Sequence, residues 1–284
     1  MTRTGCHIVA MDATFRRRYW ASLGPPIRPS PASLAKVFSL LGTPKRVLLL
    51  GATVEYLNGI AELGCEEAVV VDNDPVSLEV MLAECVVRDT LRLTPVVAEW
   101  SAWLGGRDKQ YDCVLMDCGF LFTHPPRYGP LVDSIARVLS SRRGVFVSRQ
   151  LVRGSVEHCR HAWLASLQSL PGRDGLSVML LTNVIIAAAY GAHSVSYRRL
   201  QRLGRHLLRR LSTVDKNGDA SAIAQMIEAF LALDVKSASF EPPMKRLLDR
   251  NELVSLLQKA FSTVEAENIA ETPEGYYTVL RAIV

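Results

Sequence analysis

Val47-Leu48-Leu49-Leu50-Gly51-Ala52-Thr53-Val54-Glu55 opens as a continuous apolar run, stops on a glycine, and continues into helical periodicity through Leu57, Ile60 and Leu63. Strand, glycine-containing turn and helix is the reading of that order. The same grammar recurs downstream. Val69-Val70-Val71 runs into Asp72, and Val76, Val80 and Leu82 carry the following helix. Pro95-Val96-Val97, Cys113-Val114-Leu115-Met116 ending on Asp117, and Gly144-Val145-Phe146-Val147 make three further strands. Strands that are apolar on both faces and separated by helical segments predict a parallel sheet covered on both sides.

Residues 1–41 form an N-terminal helical segment in this reading. It holds a basic cluster (Arg16, Arg17, Arg18), the turn Gly24-Pro25-Pro26, and a helix starting near Ser30-Pro31. The sheet domain occupies 42–153. From 154 to 248 helix follows helix with no strand between, which predicts a helical cap inserted into the sheet domain. Residues 249–284 complete the core with a helix from Asn251 to Ala260, a strand at Val264–Asn268, the turn Thr272-Pro273-Glu274-Gly275, and a closing strand Tyr277–Val284. So short a turn makes the last two strands antiparallel to each other, for a total of seven strands.

With 49% apolar and 21% charged residues in 284, the chain can bury a full sheet and is not expected to be disordered. Its six cysteines (Cys6, Cys65, Cys85, Cys113, Cys118, Cys159) show no CxxC pair and no zinc spacing, so reduced thiols, no metal and a cytoplasmic setting are expected. The N-terminus lacks the apolar core of a secretory signal. The longest apolar run, Leu176 to Tyr190, falls short of the roughly 20 residues that span a bilayer, and predicts a buried helix.

A glycine at the tip of the first strand and an acid at the tip of the second, about twenty residues on, is the layout of a nucleoside site at a topological switch point. Gly51 and Asp72 fit those places. A dinucleotide site needs a glycine-rich turn and a bare helix N-terminus for pyrophosphate. Here Glu55 would repel a diphosphate, whereas S-adenosylmethionine (SAM) is a net cation. The loop favours SAM.

The order Val47 to Gly51, Val71-Asp72, Tyr111-Asp112-Cys113-Val114-Leu115-Met116-Asp117 and a final antiparallel strand resembles the class I SAM-dependent methyltransferases over residues 40 to 150 and 250 to 284. More closely, Pro26-Ile27-Arg28-Pro29, the Gly-Ala-Thr-Val-Glu loop and Asp117-Cys118-Gly119 resemble a bacterial branch with a helical insertion. The resemblance implies a Rossmann-like α/β fold: a mostly parallel seven-stranded sheet with a C-terminal antiparallel strand and a helical cap insertion. It further implies a methionine contact at Gly51, Ala52, Thr53 and Glu55, ribose contacts at Asp72 and Asn73, an adenine flank at Glu99 and Trp100, and a methyl-facing turn at Asp117, Cys118 and Gly119. The family's usual loop carries two more glycines and an acid two residues before the first. Thr53, Glu55 and Leu49 stand there instead.

Methyl transfer gains most from holding the acceptor in line with the sulfonium, with a base needed only for a protonated acceptor. His124 and Tyr128, in the loop after the fourth strand, are the candidate catalytic residues; the alternative is a proline-stiffened surface loop. His158, His161 and His193 read as surface or core residues. Ser196 to Leu211 is an amphipathic basic helix with Leu200, Leu203, Leu207 and Leu211 on one face. It lacks interleaved aromatics apart from Tyr197, so nucleic acid is not the expected partner. Methylation of a small molecule under the cap is the leading expectation. The others are aminopropyl transfer or cyclisation from the same cofactor, RNA methylation, and binding of SAM without turnover. Oligomeric state is open, a homodimer included.

Overall fold

The computed structural model describes residues 28–86, 91–140, 144–153, 247–269 and 277–284, together with Arg205 and Arg209, which are helical and exposed. The expectations for the first 27 residues, the 154–246 insertion, the rest of the basic helix and the turn at 272–275 lie outside those residues.

In chain order the elements are α1 (Pro31–Ser39), β1 (Arg46–Leu50), α2 (Val54–Glu62), β2 (Glu67–Asp72), α3 (Pro75–Glu84), β3 (Arg92–Val97), α4 (Trp100–Leu104), β4 (Cys113–Asp117) and α5 (Gly119–Phe122). A 3-10 turn at Pro125–Arg127 leads into α6 (Tyr128–Val138), then β5 (Val145–Leu151), α7 (Arg250–Leu257), β6 (Thr263–Asn268) and β7 (Tyr277–Ile283). The strands form one seven-stranded sheet in the order β3-β2-β1-β4-β5-β7-β6. Strands β1 to β5 are parallel, and β7 runs antiparallel to both its neighbours, pairing Val145 with Ile283 on one side and Thr263 with Ile283 on the other.

Alternation along β1 divides the core. Val47 and Leu49 point into a cluster with Val37, Leu57 and Ile60 on the side of α1, α2 and α3. Leu48 and Leu50 point into a second with Leu104, Ile135 and Leu253 on the side of α4, α6 and α7. An apolar residue with no polar neighbour to spare is what a central strand between two helix layers requires, and each fully buried leucine contributes roughly 1.5–3 kcal/mol. The edges are built differently. β3 is half-exposed and carries Pro95, which an edge strand tolerates because one of its sides needs no ladder donor. β6 shows Glu265 and Glu267, charges that discourage a further strand from pairing.

Helix starts follow the local chemistry. Ser30 caps α1 through the Ser33 N–H (3.1 Å) with Pro31 at the first position, and Asp74 caps α3 through the Val76 N–H (3.0 Å) ahead of Pro75. Asp249 and Glu252 close a capping box on α7.

After β5 the chain leaves the sheet at Arg153 and returns at Leu248. The Arg153 N–H donates to the Leu248 carbonyl (3.0 Å), and the Arg153 guanidinium meets Asp249 (2.9 Å). Leu247 and Leu248 are buried, one in each half of the core. The four described cysteines, Cys65, Cys85, Cys113 and Cys118, are free thiols, and burial pushes Cys65 up to about 11. Among the described residues no helix is long and apolar enough to cross a membrane, and no cluster of three or more His, Cys, Asp or Glu is placed to hold a metal.

Candidate functional site

Strand order reverses between β1 and β4, so the crevice for a ligand opens at their carboxyl ends. One carbonyl organises that end. The Val71 oxygen, near the tip of β2, accepts the Gly51 N–H (2.9 Å) and the Trp100 Nε1–H (2.8 Å). The loop after β1, the end of β2 and the start of α4 therefore meet at a single atom. Gly51 has φ of +106°, a conformation that L side chains rarely adopt, and the Trp100 ring edge lies 3.6 Å from where a Cβ would stand.

Asp72 completes the joint. One carboxylate oxygen accepts the Ala52 N–H (2.9 Å) and the other the Asp74 N–H (2.8 Å). A carboxylate oxygen accepts more than one hydrogen bond, so these bonds orient the group without exhausting it as an acceptor. Asn73 beside it is exposed. Thr53 is buried at the start of α2, where its side chain makes no cap. Glu55, in the first turn of α2, forms an ion pair with Arg28. With that partner beside it, Glu55 presents no bare negative charge, and the loop departs from a dinucleotide-binding turn in its missing glycines.

Glu99 caps α4, accepting from the Ser101 N–H (2.9 Å), the Ser101 hydroxyl and the Ala102 N–H (3.3 Å), and it pairs with Arg127 (3.2 Å). Partial burial works to raise its pKa, but those donors and the Arg127 charge outweigh it and leave Glu99 below the ordinary carboxylate value. The Glu99–Arg127 pair ties the loop after β3 to the loop after β4.

At the tip of β4 the register sets Asp117 beside Arg149 of β5. The guanidinium grips the carboxylate in two places, Nε to Oδ1 (2.7 Å) and a terminal nitrogen to Oδ2 (3.1 Å), and lies 4.8 Å from the centre of the Tyr277 ring. Arg149 is 0% exposed and Asp117 10%. Burial opposes the Arg149 charge, yet Asp117 foremost holds its pKa well above the ordinary arginine value. Cys118 then turns with φ of +52°, its N–H donating to the Arg149 carbonyl (2.7 Å). A Cβ on Gly119 would fall 2.2 Å from Met116 Sδ, so the turn passes close over β4.

The two candidate catalytic residues are treated differently by the fold. His124 is exposed ahead of the 3-10 turn, while Tyr128 is buried with its ring edge-on to Phe120 at 5.5 Å. Sequence reading missed Arg28, Arg149 and Tyr277. The signal for Arg149 is Ser148-Arg149-Gln150, three buried polar residues that continue β5 beyond its apolar start. A charge inside a covered strand demands a counter-charge, and Asp117 at the tip of the next strand supplies it. Ser148 donates to the Met116 carbonyl (2.6 Å), which satisfies another member of the row.

No protein-family model matches the chain, and no curated protein matches it in sequence. Solved structures do share its fold. A Rhodobacter sphaeroides protein assigned as a Zn-dependent alcohol dehydrogenase superposes with a TM-score of 0.53 at 12% identity, covering 95% of this chain and 98% of its own. A SAM-dependent methyltransferase from Methanosarcina mazei gives 0.50 at 11% identity, covering 90% and 98%. PigF with SAH (S-adenosylhomocysteine) gives 0.50 at 10% identity, covering 95% of this chain and 58% of that one. Such distant likeness speaks to architecture: the chain has the Rossmann-like fold found in SAM-dependent methyltransferases, with a mostly parallel sheet and antiparallel C-terminal strands.

Proposed function

We propose that this chain is a SAM-dependent methyltransferase acting on a small-molecule acceptor. The observation that carries the reading is the joint at Val71, where a positive-φ glycine, an oriented Asp72 carboxylate and an indole converge at the switch point of a methyltransferase-type sheet. SAM would supply an activated methyl on a sulfonium. The Asp72 carboxylate would accept the two ribose hydroxyls, since hydroxyl donors suit an oriented carboxylate in a partly buried site. Trp100 and Glu99 would border the base. The Asp117–Arg149 pair would hold the Cys118–Gly119 turn still, which keeps the methyl end of the site preorganised. His124 is the side chain assigned to take a proton where the acceptor carries one, and Tyr128 anchors its loop through the core.

The small-molecule acceptor rests on where residues 154–246 are rooted. Arg153 and Leu248 lie just past the carboxyl end of β5, on the ligand side of the sheet, so that segment grows from the rim of the crevice. Isothermal titration with S-adenosylhomocysteine tests the cofactor: wild type binds, and Asp72→Ala weakens binding by on the order of tenfold or more, about 1.4 kcal/mol per decade. An unchanged affinity in Asp72→Ala overturns the ribose assignment. In assays against acceptor panels, release of S-adenosylhomocysteine supports methylation, and release of methylthioadenosine sinks it.

A further inference from the structure

At the amino end of the sheet, opposite the crevice, the charges do not balance. Side chains alternate along β1, so Arg46 shares the α4 face with Leu48 and Leu50, and the parallel register sets Glu67 of β2 and Arg92 of β3 in a row beside it. Tyr111, just before β4, and Trp103 of α4 pack on that face with ring centres 6.3 Å apart. The chain after α4 lays the Arg107 guanidinium over the Trp103 ring, 4.2 Å from its centre, and Arg137 of α6 donates to the Arg107 carbonyl (3.3 Å).

The nearby acids are already engaged. Glu67 pairs with Arg92 (2.9 Å) and Glu66 with Lys45 (2.7 Å), while Asp112 accepts the Lys45 and Arg46 backbone N–H groups (3.1 and 2.9 Å). Asp108 and Lys109, exposed on the next turn, offset each other. Among the described residues no carboxylate pairs with the Arg46 or Arg107 side chain, and Arg107 Nε is buried without an acceptor. Native structures rarely orphan a donor on a charged group unless a missing acceptor belongs there. Both guanidiniums act on one spot: burial pushes the Tyr111 phenol above its ordinary pKa, and the Arg107 and Arg46 charges oppose that rise while Glu67 adds to it.

We infer that Arg46 and Arg107 form an anion site for a phosphate group, separate from the cofactor crevice and independent of the SAM reading. A guanidinium offers parallel N–H donors that match two phosphate oxygens, and a phosphate has oxygens enough for both arginines. Stacking on Trp103 holds Arg107 flat, which lowers the side-chain entropy lost when a ligand binds. Two cations without counter-charges suit a dianion, whereas a single carboxylate neutralises only one of them.

The Trp103 indole N–H resonance, assigned by its loss in Trp103→Phe, reports occupancy in the full chain. Titration with inorganic phosphate at fixed ionic strength is expected to shift it saturably, with half-saturation on the order of 1 mM. Arg46→Gln and Arg107→Gln each weaken binding by roughly tenfold. Glu67→Gln, which removes the acid from the row, tightens it by about threefold, a gain that a damaged fold cannot imitate. Adenosine 5′-monophosphate binding more tightly than phosphate supports the site with a nucleotide as ligand; equal affinities support it with free phosphate. A response to chloride or acetate equal to that for phosphate, no saturable shift, or unchanged affinity in both arginine variants overturns the site.

Discussion

Arg149 illustrates how a single charge is tolerated inside a sheet. Its guanidinium is removed from water, yet the two hydrogen bonds it donates to Asp117 and its contact with the Tyr277 ring replace the lost solvation. Breaking such a pair exposes the desolvation penalty that the pair conceals. Arg149→Met should lower the unfolding free energy by about 3–5 kcal/mol because it strands Asp117, whereas Arg149→Met with Asp117→Leu should recover most of the loss. Urea unfolding of the three proteins measures it, and a single variant as stable as wild type contradicts the account. The sign with pH follows from the raised Arg149 pKa. A group whose pKa is raised by folding stabilises below its unfolded value and stops doing so only above its folded one. For this arginine that lies beyond any pH at which the sheet is tested, so alkaline unfolding should not originate here.

What could be read in advance, and what could not, divides at the same scale. Gly51 and Asp72 were legible because a glycine and an acid at strand tips are local signals, and each makes its structural bond within a residue or two of where the pattern places it. The partner of Glu55 was not, because its pairing with Arg28 joins residues 27 apart and depends on how α1 docks on α2, where Phe38 meets Tyr56 edge-on at 6.1 Å. Trp100 was legible as an aromatic near the site, but its bond to the Val71 carbonyl depends on the β3–α4 loop folding back across β2.

Among the elements, β1 and β5 behave oppositely. All of β1 after Arg46 is apolar and buried, so periodicity alone finds it. β5 is buried at all seven positions, and its polar stretch, Ser148 to Gln150, hides the second half of the strand from any pattern that equates burial with apolarity. Only pairing with β4 and β7 makes those residues strand-like. α7 shows the reverse case, since its start is written locally in Asp249 and Glu252. Each side chain accepts the other's backbone N–H at 2.9 Å. Asp249→Ala should cost about 1 kcal/mol in equilibrium unfolding. Asp249→Asn or Asp249→Ser should retain most of that, because the cap needs an acceptor oxygen rather than a charge; loss as large in Asn as in Ala contradicts it.

For the whole molecule, the hydrogen bond between Arg153 and Leu248 brings together the points at which the chain leaves and rejoins the sheet. Long insertions whose ends already meet disturb a fold little, since the closure term grows only logarithmically with length. A variant with residues 156–244 replaced by a short Gly-Ser linker is expected to keep cooperative unfolding and the far-ultraviolet signature of a mixed α/β sheet. On the proposed function it also keeps cofactor binding while losing acceptor turnover. Aggregation or loss of the unfolding transition would show that the insertion is part of the core.

The position of β7 has a consequence for how the chain is made. Lying between β5 and β6, it is translated after both, so β5 waits with one flank of its backbone unpaired while the ribosome adds more than a hundred residues. That flank belongs to a strand beginning Val145-Phe146-Val147, and an apolar edge held open during synthesis invites pairing with other chains. The vulnerable species is therefore the nascent chain, and a stop codon before Tyr277 would yield a protein whose fate is decided by aggregation before its chemistry is ever tested.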